Sequence, residues 1–264
     1  MGTKQLINIA INAAILAGEK IMEVYTSSDF EISIKDDSSP LTLADRNAHI
    51  LISSLLEPTQ IPVMSEEGIH LPYVERVKWK TFWLVDPLDG TKEFIRRNDE
   101  FTVNIALIHE NLSSAGVIYS PVSKELYVGM VGLGAWKIVN PNPNCTLELI
   151  AEQGMKLPLN KTKDEFNVAA SRSYFNEKTI AFIEVLKKDH PQLKIVRKGS
   201  SLKFCLIAEG TADIYPRFGP TMEWDTAAGH AIMKASGRNI YYIDQKTELH
   251  YNKENLLNPH FIAL

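Results

Sequence analysis

The chain has 264 residues, 45% hydrophobic and 23% charged, with a formal net charge of -4 at pH 7. That length holds one large α/β unit or two domains, and the composition is that of a folded globule, not of a disordered or fibrous chain. A slight excess of acid leaves no basic face for a nucleic-acid polymer, while a small anionic ligand stays open.

The first predicted element is a helix over 5–25, where Ile7, Ile11, Ala14, Gly18, Ile21 and Tyr25 fall on one face. Asn8, Asn12, Glu19 and Lys20 interrupt the segment, so it does not have the shape of a signal peptide. A polar turn is expected over 36–40. Thr42 then opens a second helix with Ala44, Ala48, Leu51 and Leu55 on one side, stopped by Pro58. "TFWLV" reads as a strand buried on both faces. "FTVNIALIH", "SAGVIYS", "KELYVGM" and "GAWKIV" follow at strand length with short polar separators, which predicts an antiparallel meander.

Residues 141–163 are polar and proline-bearing, the best position for a boundary between two halves. Beyond them "FNVAAS", a helix over 177–188, "KIVRK", a helix over 202–209, "ADIYP", a helix over 226–235 and "NIYYID" alternate strand with helix. The expected fold class is α/β, an α+β arrangement of stacked helix and sheet layers. The only two cysteines, Cys145 and Cys205, read as small core residues in a reducing compartment. With no run of roughly 20 apolar residues to cross a bilayer, the expected location is the cytoplasm, with peripheral attachment to the inner membrane left open.

Chemistry concentrates in carboxylates. In "WLVDPLDGT", Asp86 and Asp89 would point to opposite faces of a regular strand, since side chains alternate with a period of two. Pro87 cannot continue a central ladder and Gly90 tolerates unusual backbone angles, so the stretch is expected to fold back at a strand end and bring the two acids together. The plain alternative is an ordinary Asp-Pro-Gly turn. Glu66 and Glu67 in "MSEEG" read equally as solvated loop charges, and Asp225 in "MEWDTAAGHAI" as a helix-start aspartate. However, Trp83, Leu84, Val85 and Trp224 set these acids among interior-type residues, where clustered anions are costly unless cations neutralise them. Magnesium, held by carboxylates, waters and phosphate oxygens, fits that need, whereas the histidines and cysteines are not spaced for zinc. N–H groups of Gly90 and Thr91 at a helix start would add an anion site. Together these features describe metal-assisted hydrolysis of a phosphate ester.

"SEE", "WLVDPLDGT" and "WDTAAG", in this order, resemble the signature of the lithium-sensitive, magnesium-dependent phosphatase superfamily that includes inositol monophosphatase and fructose 1,6-bisphosphatase. "DPLDGTKEFI", "EFTVNIALI" and "KGSSLKFCLIAEGTADIYPRFGPTMEWDTAAG" look closest to the bacterial 3'(2'),5'-bisphosphate nucleotidases. The resemblance runs over nearly the whole chain and is weakest over 141–163. It implies a sugar phosphatase or inositol monophosphatase-like fold, a single compact unit of two α/β halves. The metal-bearing half would cover about 1–160 and the nucleotide-contacting half about 161–264.

By that resemblance Glu66, Asp86, the carbonyl of Leu88, Asp89 and Asp225 would hold two or three Mg2+ ions, with Glu67 beside them. Asp45 and Thr91 would activate the attacking water. From spacing alone Thr42 and Asp45 have the form of a helix capping box, and both roles are compatible. Leu88, Asp89, Gly90, Thr91, Ser171, Gly199, Ser200, Lys203, Arg217 and Asp225 would line the substrate site, and many relatives carry histidine where Tyr174 stands. "GSS" before an apolar helix is also a plain helix start. Arg217, among aromatics and prolines, is set to grip phosphate bidentately. His230 receives no role.

The expected reaction is hydrolysis of the 3'-phosphate of adenosine 3',5'-bisphosphate to AMP and phosphate, in sulfur metabolism or nucleotide recycling, by a monomer or homodimer. An inositol monophosphatase or sugar bisphosphatase is the nearest alternative, and a silent nucleotide-binding protein a more distant one.

Overall fold

A computed structural model describes residues 1–27, 33–34, 40–159 and 165–264. Its elements in chain order are α1 (Thr3–Tyr25), β1 (Ser33–Ile34), β2 (Pro40–Leu41), α2 (Leu43–Leu56), β3 (Val63–Ser65), α3 (Tyr73–Arg76), β4 (Thr81–Asp89) and α4 (Thr91–Ile95). The meander follows as β5 (Thr102–His109), β6 (Leu112–Ser120), β7 (Glu125–Met130) and β8 (Gly134–Val139), then α5 (Leu147–Gln153) and β9 (Met155–Lys156). The remainder is β10 (Asn167–Ser171), α6 (Glu177–Leu186), β11 (Lys194–Lys198), α7 (Leu202–Glu209), β12 (Tyr215–Arg217), α8 (Glu223–Ala235), β13 (Ile240–Tyr242) and β14 (Phe261–Ala263).

A seven-stranded sheet runs in the order β3-β4-β5-β6-β7-β8-β9, antiparallel except for the β3–β4 pair. Along β4 the side chains alternate as the pleat requires. Trp83 and Val85 join a core with α1 and α2 on one face, while Phe82 and Leu84 join α7 and α8 on the other. Both faces are covered, so the strand is apolar throughout. Beyond α7 and α8 lie a parallel β10–β11 pair and a three-stranded sheet β12-β14-β13, with α6 against a third small core. The layers are therefore helix, sheet, helix, small sheets, helix, in agreement with the expected α/β class.

The predicted face of α1 is buried at every position named. That of α2 is rotated. Ala44, Ala48, Ile52 and Leu56 are buried, and Leu51 and Leu55 only partly, because the helix packs along the row of residues four apart. The stretch read as a boundary contains α5, which buries Leu147 and Ile150, and β9, which adds a strand to the large sheet. Its residues 160–164 lie outside the described residues, as do 36–39 of the polar turn predicted over 36–40. β14 was not anticipated: "FIA" is only three residues long, too short to show a strand period. Among the described residues no helix is long and apolar enough to cross a membrane.

Helix α8 lies unusually close to the large sheet. A Cβ at Gly116 of β6 would fall 2.4 Å from the Ala228 carbonyl oxygen, and one at Gly129 of β7 would fall 2.5 Å from Ile232 Cα. Two glycines on the sheet and the small residues of "DTAAGHA" make this approach possible.

His230 of α8 is fully buried, with Nδ1 2.9 Å from the Tyr251 hydroxyl and Nε2 2.6 Å from Asn239 Oδ1. Burial brings its pKa down to about 4, outweighing the opposing influences of Asn239 and Glu248. The unfolded chain takes up a proton near pH 6.5 and the folded one does not until about 4, so stability is retained above pH 6.5 and falls between the two values. The expected loss is about 3 kcal/mol. Urea unfolding at pH 7 and pH 4.5, compared with His230→Gln, checks this: the wild-type chain should show the steeper decline.

Candidate active site

β3 pairs with β4 only as far as Ser65 and Val85, and the Glu66 N–H then donates to the Val85 carbonyl at 3.0 Å. Beyond that point β4 keeps one neighbour, β5, and the register between them shifts. Asp86 stands opposite Asn104 and Asp89 opposite Thr102, so three steps on β4 match two on β5. Since Asn104 and Thr102 share a face, this bulge turns both aspartates toward that face. The expected fold-back at a strand end is corrected here: β4 runs continuously through Pro87 to Asp89, and the bulge does what a reversal would have done. Proline, lacking an N–H, is tolerated at such an interruption of the ladder. Gly90, at φ +95°, takes the left-handed backbone that ends the strand and starts α4.

Two further acids arrive on helices by a shared device. Asp45 is the third residue of α2, and its Oδ2 accepts from the Thr42 N–H at 2.7 Å. Asp225 is the third residue of α8, which begins at Glu223, three residues before the expected start, and its Oδ2 accepts from the Met222 N–H at 2.8 Å. The capping role and the approach to the other acids coexist in both residues. Carboxylate oxygens of Glu66, Asp86 and Asp225 come within 4.8 Å of one another. Glu67 is not in this group. Asp86 is 1% exposed. Burial first, then the charges of Glu66, Asp89 and Asp225, hold its carboxyl well above the ordinary carboxylate range; burial and Asp89 do the same to Asp225. Converging hard oxygens with an unfavourable excess of negative charge form the donor set of a hard divalent cation, so the residues fit the metal that the motif implied.

Asp89 stands beside the trio, and its Oδ2 accepts from Ser200 Oγ at 2.8 Å, Ser201 Oγ at 2.7 Å and, more weakly, Asn104 Nδ2 at 3.4 Å. Thr91 Oγ1 donates to Asp45 Oδ1 at 3.1 Å, with the Leu88 carbonyl farther away at 3.4 Å. Glu66, Asp89, Gly90, Thr91, Ser171, Gly199, Ser200, Lys203, Arg217 and Asp225 all line one cleft, together with Lys92, Glu93, Ser173 and Tyr174. Lys203 is buried and donates to the Lys198 carbonyl at 3.4 Å and, more closely, to that of Ser200, whose φ of +52° it helps hold. Burial, reinforced by Arg217, brings its pKa down to about 8. Arg217 donates Nε to the Gly219 carbonyl at 3.2 Å and Nη2 to that of Pro220 at 2.6 Å, with its guanidinium carbon 5.0 Å from the centre of the Tyr174 ring. One edge of the fork is thus occupied by its own loop, which restricts a bidentate grip to the Nη1–Nη2 end.

The sequence pattern of the inositol monophosphatase family matches residues 3–261. The chain belongs to that family. It is 44% identical over 249 residues to the 3'(2'),5'-bisphosphate nucleotidase CysQ of Salmonella typhimurium, covering 93% of this chain and 94% of the relative. Against the same-named protein of Escherichia coli K12 the identity is 42% with the same coverage. The crystal structure of CysQ from Bacteroides thetaiotaomicron superposes with a TM-score of 0.89 at 50% identity, covering 97% and 95% of the two chains. Inositol monophosphatase from Anabaena shares the fold, with a TM-score of 0.70 at 21% identity over 100% of this chain and 91% of that one. Within the family, the full-length likeness is therefore to the CysQ type.

Several site residues escaped the sequence reading. Asn104 and Thr102 brace Asp89 and Ser200, and two polar residues at alternate positions of the otherwise apolar "FTVNIALI" were the available signal. Lys92 and Glu93 directly follow Thr91 within "DPLDGTKEFI", which was the available signal, whereas Ser173 reaches the cleft through tertiary packing.

Proposed function

We propose that the chain is a magnesium-dependent 3'(2'),5'-bisphosphate nucleotidase that hydrolyses the 3'-phosphate of adenosine 3',5'-bisphosphate to AMP and phosphate. The observation that carries this reading is the convergence of Glu66, Asp86 and Asp225 next to a hydroxyl–carboxylate pair, Thr91 and Asp45, in a protein of CysQ type. Glu66, Asp86, Asp89, Asp225 and the Leu88 carbonyl are the groups assigned to two or three Mg2+ ions. Bound there, the ions supply charge neutralisation for the phosphoryl oxygens and for the departing ribose oxygen.

The remaining chemistry belongs to the chain. The Thr91 hydroxyl proton is turned to Asp45 Oδ1, so lone pairs on Thr91 Oγ1 accept a proton from the attacking water. As it does so, Thr91 passes its own hydroxyl proton to Asp45 Oδ1, so the proton ends on Asp45 and neutralises that carboxylate, while the Thr42 N–H keeps Oδ2 in place. Ser200 and Ser201 hold the Asp89 carboxylate in place, and Lys203 and Arg217 supply positive charge at the nucleotide end. The sulfated analogue, 3'-phosphoadenosine 5'-phosphosulfate, is a second substrate of this reading, and sulfur assimilation is the setting it fits.

Phosphate release from adenosine 3',5'-bisphosphate and from inositol 1-phosphate at equal magnesium is the test, with chelator and lithium as added arms. The bisphosphate is expected to be favoured by roughly a hundredfold in kcat/KM, because buried polar groups go unpaired when a ligand lacks the matching group. Chelator should stop the reaction and lithium should inhibit it. Preference for inositol phosphate would withdraw the assignments of Lys203 and Arg217.

A further inference from the structure

The cleft is lined by acids and by cations, and among the described residues the cations are Lys92, Lys203 and Arg217. Their commitments differ. Lys203 is buried and gives its ammonium to the carbonyls of Lys198 and Ser200. Arg217 gives Nε and Nη2 to the carbonyls of its own loop and also hydrogen-bonds the Tyr215 side chain. Lys92 is exposed, on the residue after Thr91, and its ammonium donates to a neutral oxygen, the Tyr174 hydroxyl, at 3.0 Å.

Lys92 and Arg217 are also arranged about one ring, 5.2 Å and 5.0 Å from the centre of Tyr174. A phenol accepts one hydrogen bond and leaves the ammonium two more donors. Two cations held by one aromatic side chain repel each other, and an anion reaching both relieves that repulsion while making charge-assisted bonds stronger than the one to the phenol. Tyr174 is itself anchored, its N–H bonded to Ser171 Oγ at 3.1 Å, and the neighbouring Ser173 donates to Glu93 Oε1 at 2.6 Å. Lys92 and Arg217 are the two cations that an anion beside the Tyr174 ring would meet.

We infer that Lys92 is a specificity-determining residue which, with Arg217 across the Tyr174 ring, binds the phosphate of the substrate that is not cleaved. This rests on the nucleotide bisphosphate reading above. The contact distinguishes a substrate with a second phosphate from one with a single phosphate, and it leaves the reacting phosphate to the acids.

The test is Lys92→Met, with Lys92→Arg as the conservative variant, assayed on adenosine 3',5'-bisphosphate and on adenosine 3'-monophosphate, which lacks the second phosphate. Lys92→Met is expected to lower kcat/KM about tenfold more on the bisphosphate than on the monophosphate, through KM, which is the scale of one charge-assisted contact. Lys92→Arg should restore most of it. Calorimetric titration with AMP, which carries only the uncleaved phosphate, should show a Kd raised by about the same factor. Equal losses on the two substrates, together with an unchanged Kd for AMP, would overturn the inference while leaving the nucleotidase reading intact. A wild-type enzyme that does not prefer the bisphosphate over the monophosphate overturns both.

Discussion

Asp86→Asn is expected to lower phosphate release by roughly a thousandfold or more, the scale on which preorganised charge-stabilising groups act, while raising the Tm of the metal-free protein. The two effects have one cause. Asp86 is 1% exposed and surrounded by Glu66, Asp89 and Asp225, so its charge opposes folding when no cation is present. Asparagine keeps the shape and the acceptor for the Leu88 N–H, which bonds Asp86 Oδ1 at 3.1 Å, and removes the repulsion. Thermal unfolding with chelator and with excess magnesium separates the terms. The wild-type Tm should rise with magnesium, as for any ligand that binds the folded state, and the variant's should rise much less. A variant that loses activity but gains as much from magnesium as the wild type would move the metal elsewhere.

Gly116→Val is expected to cost about 3 kcal/mol or more, the upper range for overpacking, and to impair metal binding as well. Even the first added carbon would meet the Ala228 carbonyl oxygen at 2.4 Å, and that oxygen is main chain, so α8 itself must move. Asp225 is in the first turn of the same helix. Displacing α8 therefore separates one acid from Glu66 and Asp86, and the magnesium-dependent rise in Tm should shrink along with the baseline Tm. If stability fell while the magnesium increment stayed whole, the placement of Asp225 would be independent of how α8 seats on the sheet.

The main elements were legible because they are locally encoded. The heptad-like face of α1, the all-apolar run of β4 and the alternating strands of the meander each declare their period. The acids were legible for another reason: "WLVDPLDGT" sets charge against interior residues, which needs explanation wherever it occurs. What was missed depends on contacts between distant segments. The rotation of α2 is decided by the neighbour it packs on, since leucine and isoleucine serve either face equally well. Whether β4 reverses or bulges at Pro87 is decided by β5, and nothing within nine letters reveals the partner strand. Ser173 acquires meaning only when the loop after β10 comes against α4. Asp45 and Asp225 were ambiguous between helix capping and chemistry, and the structure shows one carboxylate oxygen of each committed to capping while both acids also face the site.

That double use ties catalytic readiness to helix formation. A side-chain oxygen anchored by an amide one turn away has lost most of its torsional freedom before any ion or substrate arrives, so two of the acids are aimed in part by the backbone itself. The same economy makes the first turns of α2 and α8 intolerant of fraying, because a loosened turn would swing its carboxylate out of alignment while the rest of the molecule stayed folded.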